Sequence, residues 1–373
     1  MRALFLLLLA ACGPASVPPP PAHVPPPPSA PAPYTLSLLG DGPLVIPPGL
    51  EVDGLTVGGL SAIVRSEGDT YRSLIDNQGA AAARIFELQF AVTERGPAPL
   101  PGRTPADVPR SALRLEGLNG INFDGEGLVL TPERTFLVSS EREPSIREVS
   151  AEGKTLRNLP VPPVFDGSLL GGRGIRSNQG FEALAISPDG RSLWTANEGA
   201  LKQDAPDEAM FGVHPIRLLR YDRQGDSWAP AAQHVYVLDP IEKRGIGLHV
   251  RGLVDLLPLP EGGFLALERE FVAGVGMEVQ IFHVTTGGAT DVSGLESLAG
   301  QSYTPVRKTL VYDFAVSAGL GFVPDNLEGM TFGPALPGGD RTLVLVSDDN
   351  FEPRIQSTQI VALRLHSATR GAS

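Results

Sequence analysis

The chain has 373 residues, a formal net charge of −12, 43 glycines, 36 prolines and only 6% aromatic residues. So many helix breakers exclude a mostly helical protein and favour short strands joined by turns. The acidic balance disfavours a nucleic-acid partner, because no basic stripe is available to neutralise phosphates. The single cysteine, Cys12, excludes an internal disulfide and cysteine-based metal binding or catalysis.

The N-terminal segment 1–33 predicts export and attachment to a membrane. A basic start and an apolar run over residues 3–11 resemble a secretory signal peptide and are too short to span a bilayer. The run ends in Leu-Ala-Ala-Cys12, which resembles a bacterial lipobox. We therefore expect residues 1–11 to be removed and Cys12 to carry lipid; an unlipidated signal peptide is the alternative. Gly13 is typical of sorting to the outer membrane, so the expected location is the bacterial cell envelope.

A proline-rich stretch follows, from Pro14 to Pro33. Such a composition cannot bury a core and favours an extended polyproline tether of about 60 Å, at ~3.1 Å per residue. We expect residues 12–33 to space a folded domain, residues 34–367, away from the membrane. A proline-rich docking ligand is the alternative.

Strand-turn-strand units recur along the rest of the chain. The clearest is Gly180–Glu198, where apolar runs flank the turn sequence Ser187-Pro188-Asp189-Gly190. Because the strands are antiparallel, Glu182 and Glu198 fall at the same open end. Similar units are 59–76, 124–141, 252–268 and 326–349, of which the first and third lack the opening acid. Repeats at intervals of roughly 55 to 75 residues predict an all-β propeller of five blades, or six if the stretch 199–253 hides another.

Further strands complete the predicted blades. Tyr34–Leu39 is predicted to close the ring by joining the last blade, which removes an exposed sheet edge. Other outer strands are predicted at 83–92, 216–221, 234–238, 279–284, 309–314 and 359–365. The one predicted helix is a short one around Val292–Leu298.

Four short motifs resemble the phytase-like domain family, known as "esterase-like activity of phytase". They are Gly58-Gly59-Leu60-Ser61, Asn178-Gln179-Gly180-Phe181-Glu182, Leu267-Glu268-Arg269 and Asn326-Leu327-Glu328-Gly329. The resemblance covers roughly Gly59 to Leu365. It implies a β-propeller and a phosphoester or ester hydrolase; the better understood β-propeller phytases bind calcium through an acidic face. It supplies no catalytic set that can be carried over by residue.

The hairpin pattern predicts a ring of negative charge at one mouth of the central channel. Its predicted members are Glu126, Glu141, Glu182, Glu198, Glu268, Glu328 and Asp348 or Asp349. Like charges this close need a counter-charge, and carboxylate oxygens, with Asn178, Asn197, Asn326 and Asn350 nearby, suit Ca²⁺ better than zinc or copper. The alternative is ion pairing with Arg142, Arg173, Arg251 and Arg269, which would lock the blades together.

Candidate catalytic residues are Glu182 and Glu328, with Arg142 and Arg269 as possible anion contacts and His249 as a possible acid or base. The sequence has no Gly-x-Ser-x-Gly elbow, P-loop, dinucleotide fingerprint or zinc-binding helix motif. Two functions remain open. One is a calcium-assisted hydrolase of anionic small molecules or phosphoesters, tethered to the outer membrane; the other is a non-catalytic binding propeller. We expect a monomer in either case.

Overall fold

The computed structural model describes residues 33–76, 81–167, 171–205, 214–241, 249–315 and 322–367. These residues form five main antiparallel sheets, one per blade, with two additional short hairpins and only single-turn 3₁₀ helices at Pro105–Asp107 and Pro163–Phe165. The all-β, five-bladed prediction is confirmed. The predicted signal peptide, Cys12 and the proline-rich stretch up to residue 32 lie outside the described residues.

The strands follow the chain blade by blade. Before blade 1 come β1 (Tyr34–Leu38), β2 (Leu44–Ile46), β3 (Glu51–Val52) and β4 (Leu55–Thr56). Blade 1 holds β5 (Leu60–Glu67), β6 (Thr70–Ile75) and β7 (Ala82–Gln89), then the hairpin β8 (Ala91–Thr93) and β9 (Gly96–Ala98), and the outer strand β10 (Pro109–Asn119). Blade 2 holds β11 (Gly125–Leu130), β12 (Phe136–Ser140), β13 (Ser145–Val149) and β14 (Thr155–Asn158).

Blades 3, 4 and 5 continue in the same order from the channel outward. Blade 3 holds β15 (Phe181–Ile186), β16 (Ser192–Asn197), β17 (His214–Gln224) and β18 (Ser227–Leu238). Blade 4 holds β19 (His249–Pro258), β20 (Phe264–Val272), β21 (Gly276–Thr285) and β22 (Arg307–Asp313). Blade 5 holds β23 (Leu327–Phe332), β24 (Arg341–Ser347) and β25 (Thr358–Ser367). The described part of the stretch 199–253 contains β17 and β18 of blade 3 and the start of β19, and it forms no sixth blade.

Strands from the two ends of the domain close the propeller. Strand β1 pairs antiparallel with β25, from Tyr34 opposite Ser367 to Leu38 opposite Leu363. Strand β2 pairs with the other part of β25, with Leu44 opposite Ile360. The predicted closure by the Tyr34 region is confirmed, and it leaves β25 paired on both sides.

The innermost strands approach one another closely around the channel. A Cβ atom added to Gly127 would lie 2.5 Å from the Cβ of Leu184 in blade 3, and one added to Gly329 would lie 2.7 Å from the Cα of Ala62 in blade 1. Such contacts are shorter than real Cβ atoms make, so these positions require glycine.

Each innermost strand carries a register shift at the same place. The shifts fall between Leu60 and Ala62, Gly125 and Leu128, Phe181 and Leu184, Leu253 and Asp255, and Leu327 and Gly329. A β-bulge re-aims a side chain at a strand end. The bulged positions are Ser61, Glu126, Glu182, Val254 and Glu328, so the irregularity recurs at the equivalent place in all five blades.

The predicted helix at Val292–Leu298 is wrong, because this segment is an irregular loop packed on blade 3. The Val292 amide donates a hydrogen bond to the Gln233 carbonyl at 2.8 Å, and Val292 and Leu298 are buried with Val235. In the part of the chain that the structure describes, no helix is long and apolar enough to cross a membrane.

Candidate functional site

The site is built from two residues of each blade: the bulged residue of the innermost strand and a second residue that recurs on or next to the second strand. In blades 1, 2, 3 and 5 this second position directly follows the second strand, and in blade 4 it lies within β20, opposite Gly252. Its residues are Asp76, Glu141, Glu198, Arg269 and Asp348. In four blades the amide of this residue donates to the carbonyl just before the innermost strand: Asp76 to Gly59, Glu141 to Asp124, Glu198 to Gly180 and Asp348 to Asn326, at 2.8–3.2 Å. The bulged residues and the residues of this second position consequently lie at the same mouth of the channel.

We call the resulting cluster the carboxylate ring. It consists of Asp76, Asp124, Glu126, Glu141, Glu182, Glu198, Glu328 and Asp348. All but the half-buried Asp76 are buried. Several buried carboxylates held this close repel one another and favour protonation.

The pKa values of the ring carboxyls reflect this crowding. Burial, followed by the charges of neighbouring carboxylates, raises the pKa of Glu126, Glu182 and Asp348 well above the ordinary value. The same causes raise the pKa of Glu141 to about 8, and burial together with Asp124 raises that of Asp76 to about 10. The ring therefore requires protons or cations to be stable.

Arg269 supplies a guanidinium on one side of the ring. Its Nη2 lies 2.8 Å from Glu198 Oε1, and its Nη1 lies 2.5 Å from both Glu328 Oε1 and Asn326 Oδ1. Burial raises the pKa of Glu328 to about 7 although Arg269 opposes the shift, and Asn326 Nδ2 donates to Glu328 Oε1 at 2.9 Å. Arg269 thus stabilises the side of the ring formed by blades 3, 4 and 5.

The other side of the ring holds two groups of carboxylates with the spacing of cation ligands. Oxygens of Asp76, Asp124 and Glu126 lie within 4.8 Å of one another, and so do oxygens of Glu126, Glu141 and Glu182. Asp124 Oδ1 and Glu141 Oε2 are buried without a hydrogen-bond partner. An oxygen-only donor set with such oxygens fits Ca²⁺, which takes six to eight oxygen ligands.

A cleft of about 700 Å³ opens beside the ring. Glu198, Arg269 and Asn326 form the part that borders the ring, and the side chains of Asn178, Gln179, Asn350 and Gln356 line the polar part. The apolar part consists of Val250, Phe271, Met277 and Ile355. Three of these come from strands β19, β20 and β21, which extend past the ring and form a wall of the cleft.

The family of the chain follows from a comparison with known proteins. Residues 55–351 match the family model described as Phytase-like, esterase-like activity of phytase. The chain belongs to this Phytase-like family. Over 206 residues it is 30% identical to an "Uncharacterized secreted protein" of Arthroderma benhamiae, in a match that spans 47% of this chain and 40% of that protein's length.

Solved structures are similar only at the level of the fold. A PQQ-bound aldose sugar dehydrogenase from Streptomyces coelicolor is 14% identical with a TM-score of 0.37, covering 88% of this chain and 84% of that chain. The Dos1 propeller is 6% identical with a TM-score of 0.33, covering 81% and 67%. Similarity of this degree says nothing about the activity of this Phytase-like chain.

Glu268, predicted as a ring member, lies on the opposite face of strand β20 from Arg269. Its carboxylate accepts hydrogen bonds from Arg251 Nε at 2.8 Å, Lys308 Nζ at 2.6 Å and the Tyr236 hydroxyl at 2.5 Å. The alternation of side chains along a strand explains this, because the residue that faces the mouth is Arg269. In blade 4 the ring therefore contains the cationic Arg269 in place of the predicted Glu268.

Asp349 and Asn197 also lie outside the ring, although the sequence grouped them with it. Asp349 accepts hydrogen bonds from the Gly59 amide at 2.8 Å and the Thr358 hydroxyl at 3.0 Å, so it joins blade 5 to blade 1. Asn197 accepts from the Arg217 amide at 3.2 Å. Of the pair Asp348 or Asp349, the structure brings Asp348 to the ring.

The other candidates occupy distinct places. His249 is buried at the start of β19, where it neighbours Val250 on the strand and points away from the cleft that Val250 lines. Arg142 lies at the edge of the ring with 49% of its side chain exposed, and its Nη2 is 3.1 Å from Asp124 Oδ2. Arg173 pairs with Glu296 and is exposed, so it takes no part in the ring.

Sequence reasoning missed Asp76 and Asp124 as members of the ring. Asp76 is the closing acid of the unit 59–76 and is equivalent to Glu141, Glu198 and Asp348 in the other units. The unit was not recognised as part of the ring because it lacks the opening acid. Aligning the units on their closing acids would have found Asp76, whereas Arg269 lies one residue after the closing acid Glu268 of its unit. Asp124 lies two positions before Glu126 and just outside strand β11, and its carboxylate joins those of Asp76 and Glu126 in one group.

Proposed function

We propose that this protein is a Ca²⁺-dependent phosphoester hydrolase that acts at the carboxylate ring. The observation that carries the proposal is the excess of buried negative charge on one side of the ring, where two carboxylate groups share Glu126 and retain unpartnered oxygens. Membership of the Phytase-like family supports a hydrolytic activity. Calcium is the ion that best fits an all-oxygen donor set of this size.

Calcium would be held on this side of the ring, where the candidate ligands are Asp76, Asp124, Glu126, Glu141 and Glu182. When bound, it supplies a positive charge that polarises a phosphoryl oxygen and favours ionisation of water. Burial in the ring strengthens such electrostatic stabilisation. Arg142, half-exposed beside Asp124, is placed to contact the remaining phosphoryl oxygens of the substrate.

Glu328 is the residue that we assign to proton transfer. Its pKa of about 7 lets it exist in both protonation states at neutral pH, and Arg269 and Asn326 hold its Oε1 in place. The carboxylate accepts a proton from the attacking water, whose oxygen forms a bond to phosphorus. The carboxyl then returns the proton to the ester oxygen as the phosphorus–oxygen bond breaks, giving an alcohol and inorganic phosphate.

The cleft would bind the organic part of the substrate. Its amides, Asn178, Gln179 and Gln356, can bind hydroxyl or carbonyl groups, while Val250 and Phe271 can cover an apolar surface. Arg269, which also borders the cleft, already has its charge balanced by Glu198 and Glu328 and donates to Asn326. We therefore assign the contact with the phosphoryl group to Arg142 rather than to Arg269.

Phosphate release from a panel of phosphoesters, with calcium and with chelator, tests the proposal. We expect release that requires calcium and that falls at least about 100-fold in Glu328→Gln, the usual range for loss of a proton-transfer group. Glu116→Gln changes an exposed carboxylate far from the ring and should have no effect. Calcium-independent release, or none from any phosphoester, would contradict the proposed hydrolase.

A second candidate function is a non-catalytic binding propeller. The specific observation in its favour is the cleft, whose amides and apolar side chains suit recognition of a small molecule without any chemistry. Calcium would then order the mouth and leave phosphoesters intact. Binding of a ligand to the cleft with no turnover, under conditions where calcium is bound, would favour this function.

We further propose that the chain is exported and held at the cell envelope by lipid on Cys12. The signal-like residues 1–11 and the proline-rich stretch support this location, and the fungal relative is named as a secreted protein. Mass spectrometry of the native N-terminus should find acyl chains on Cys12. Cys12→Ser should be unprocessed or mislocalised, and an N-terminus without acyl chains would overturn the lipoprotein proposal.

A further inference from the structure

The carboxylates on one side of the ring fall into two groups rather than one. Asp76, Asp124 and Glu126 form the first, and Glu126, Glu141 and Glu182 form the second. Within each group the ligand oxygens lie within 4.8 Å of one another, but the five residues together do not meet this condition. Glu126 is the single residue that belongs to both.

The spacing decides how many ions such a set can hold. Ca²⁺ lies about 2.3–2.6 Å from each oxygen ligand, so two oxygens on the same ion are at most roughly 5 Å apart. Each three-residue group satisfies this limit separately. Two ions with Glu126 between them satisfy it for all five carboxylates, whereas one ion leaves part of the set without a cation.

An independent observation points to a ligand in each group. Asp124, 5% exposed, has Oδ1 without a partner in the first group, and Glu141, 4% exposed, has Oε2 without a partner in the second. A buried carboxylate oxygen without a partner costs the free energy of its lost hydration. One such oxygen on either side of Glu126 is what two cation sites predict, and one site would leave the other oxygen uncompensated.

The distribution of positive side chains agrees with this division. Arg269 pairs with Glu198 and Glu328, which belong to neither group. Among the described residues, one ion pair involves any of the five carboxylates, and it joins Asp124 to the half-exposed Arg142. Two divalent ions would neutralise most of a charge that reaches −5 when all five carboxylates are ionised.

We propose that the ring holds a pair of Ca²⁺ ions bridged by Glu126, one bound by Asp76 and Asp124 and the other by Glu141 and Glu182. This inference specifies the metal centre of the proposed function and rests on it for the choice of calcium. A bridged pair makes the two sites interdependent, because the loss of Glu126 removes a ligand from both.

Equilibrium dialysis with radioactive calcium tests the number of ions on the purified full chain. We expect two ions per wild-type chain, one in Asp76→Asn and one in Glu182→Gln. Glu126→Gln should bind neither ion at concentrations that saturate the wild type. Glu328→Gln, a ring variant outside both groups, and Glu116→Gln, an exposed variant, should keep two.

Folding of the variants is checked by their melting in chelator. Asp76→Asn, Glu126→Gln and Glu182→Gln each remove a repelling carboxylate, so their melting temperatures without calcium should stay equal to or rise above that of the wild type. A saturating count of one ion in the wild type would overturn the pair, as would two ions in Glu126→Gln with unchanged affinity. These counts do not depend on turnover: two ions without phosphate release would reject only the hydrolase, and release with one ion would reject only the pair.

Discussion

Arg269 of blade 4 occupies the position that Glu198 occupies in blade 3, and the two side chains form an ion pair of 2.8 Å. One repeated position thus supplies both a negative and a positive member of the same ring. Since Arg269 also pairs with Glu328, it compensates the charge of the blades on either side of its own. The remaining carboxylates are the ones for which we propose calcium.

Replacing Arg269 by Met should strongly destabilise the chelated protein. Glu198 and Glu328 would remain buried without a counter-charge, which costs about 3–5 kcal/mol for a buried pair. Urea denaturation in chelator measures the loss. Arg103→Met, which removes an exposed pair with Asp107, should have a much smaller effect because solvent screens such pairs; equal effects of the two substitutions would argue against a charge-balancing role for Arg269.

The stability of the chelated protein should fall as the pH rises from about 4.5 to 8. The pKa of Glu141 is raised to about 8 and that of Glu328 to about 7, so in this window the folded state binds more protons than the unfolded state. Ionisation on the way to pH 8 then destabilises the fold by something on the order of a few kcal/mol. Asp255, a buried channel carboxyl with a pKa of about 8, contributes in the same direction.

Calcium should reverse most of this pH dependence, because the ion binds the ionised carboxylates. Urea denaturation at pH 5 and pH 8, with calcium and with chelator, gives the four values needed. A chelated protein that is more stable at pH 8 than at pH 5 would show that the ring carboxylates are already compensated within the protein.

Glu268→Gln separates the structural carboxylate of blade 4 from the ring. The substitution weakens the contacts of Glu268 with Arg251 and Lys308 and should destabilise the fold by about 3 kcal/mol, since it leaves buried cations without their partner. The gain in melting temperature on adding calcium should equal that of the wild type. If Glu268→Gln removed the response to calcium, Glu268 would have to act at the ring after all.

The closing strand β1 should contribute to stability through one face only. Leu36 is buried in the core and Thr35 is exposed, so Leu36→Ala should cost about 2–5 kcal/mol and Thr35→Ala less than about 0.5 kcal/mol. Chemical denaturation of the two variants measures the difference. Similar values for both would indicate that β1 does not close the propeller in solution.

Much of the fold could be predicted because it repeats. Apolar runs on either side of a turn identified the hairpins of every blade, most clearly around Pro188-Asp189-Gly190. The strand at Tyr34 could be assigned because it alternates and lies just before the first repeat of a fold that closes into a ring. The predicted helix at Val292–Leu298 failed because its apolar residues pack on Val235 from a loop. Spacing alone does not distinguish a short amphipathic helix from such a loop.

The sequence predicted that acidic residues lie at one mouth of the channel, but it did not identify all of those residues correctly. Glu126, Glu182 and Glu328 were identified because each is the opening acid of a repeated unit. Glu268 and Arg269 are adjacent on one strand, so the alternation of side chains decides which of them faces the ring. Register in blade 4 depends on the bulge between Leu253 and Asp255, which the sequence does not reveal. Contacts between blades, such as the hydrogen bond from the Gly59 amide to Asp349, depend on how the closed propeller places neighbouring blades, which the sequence alone does not give.

The central claim, that the carboxylate ring binds calcium, is tested most directly by the melting of the wild type and Glu182→Gln with calcium and with chelator. Binding to the folded state alone should stabilise the wild type by about 2.7 kcal/mol for each site when the ion is at roughly a hundred times its dissociation constant. Glu182→Gln keeps the side-chain shape but loses a charged ligand, so it should lose the gain from the site that Glu182 serves while remaining folded. A wild-type melting temperature that is the same in calcium and in chelator would contradict the claim.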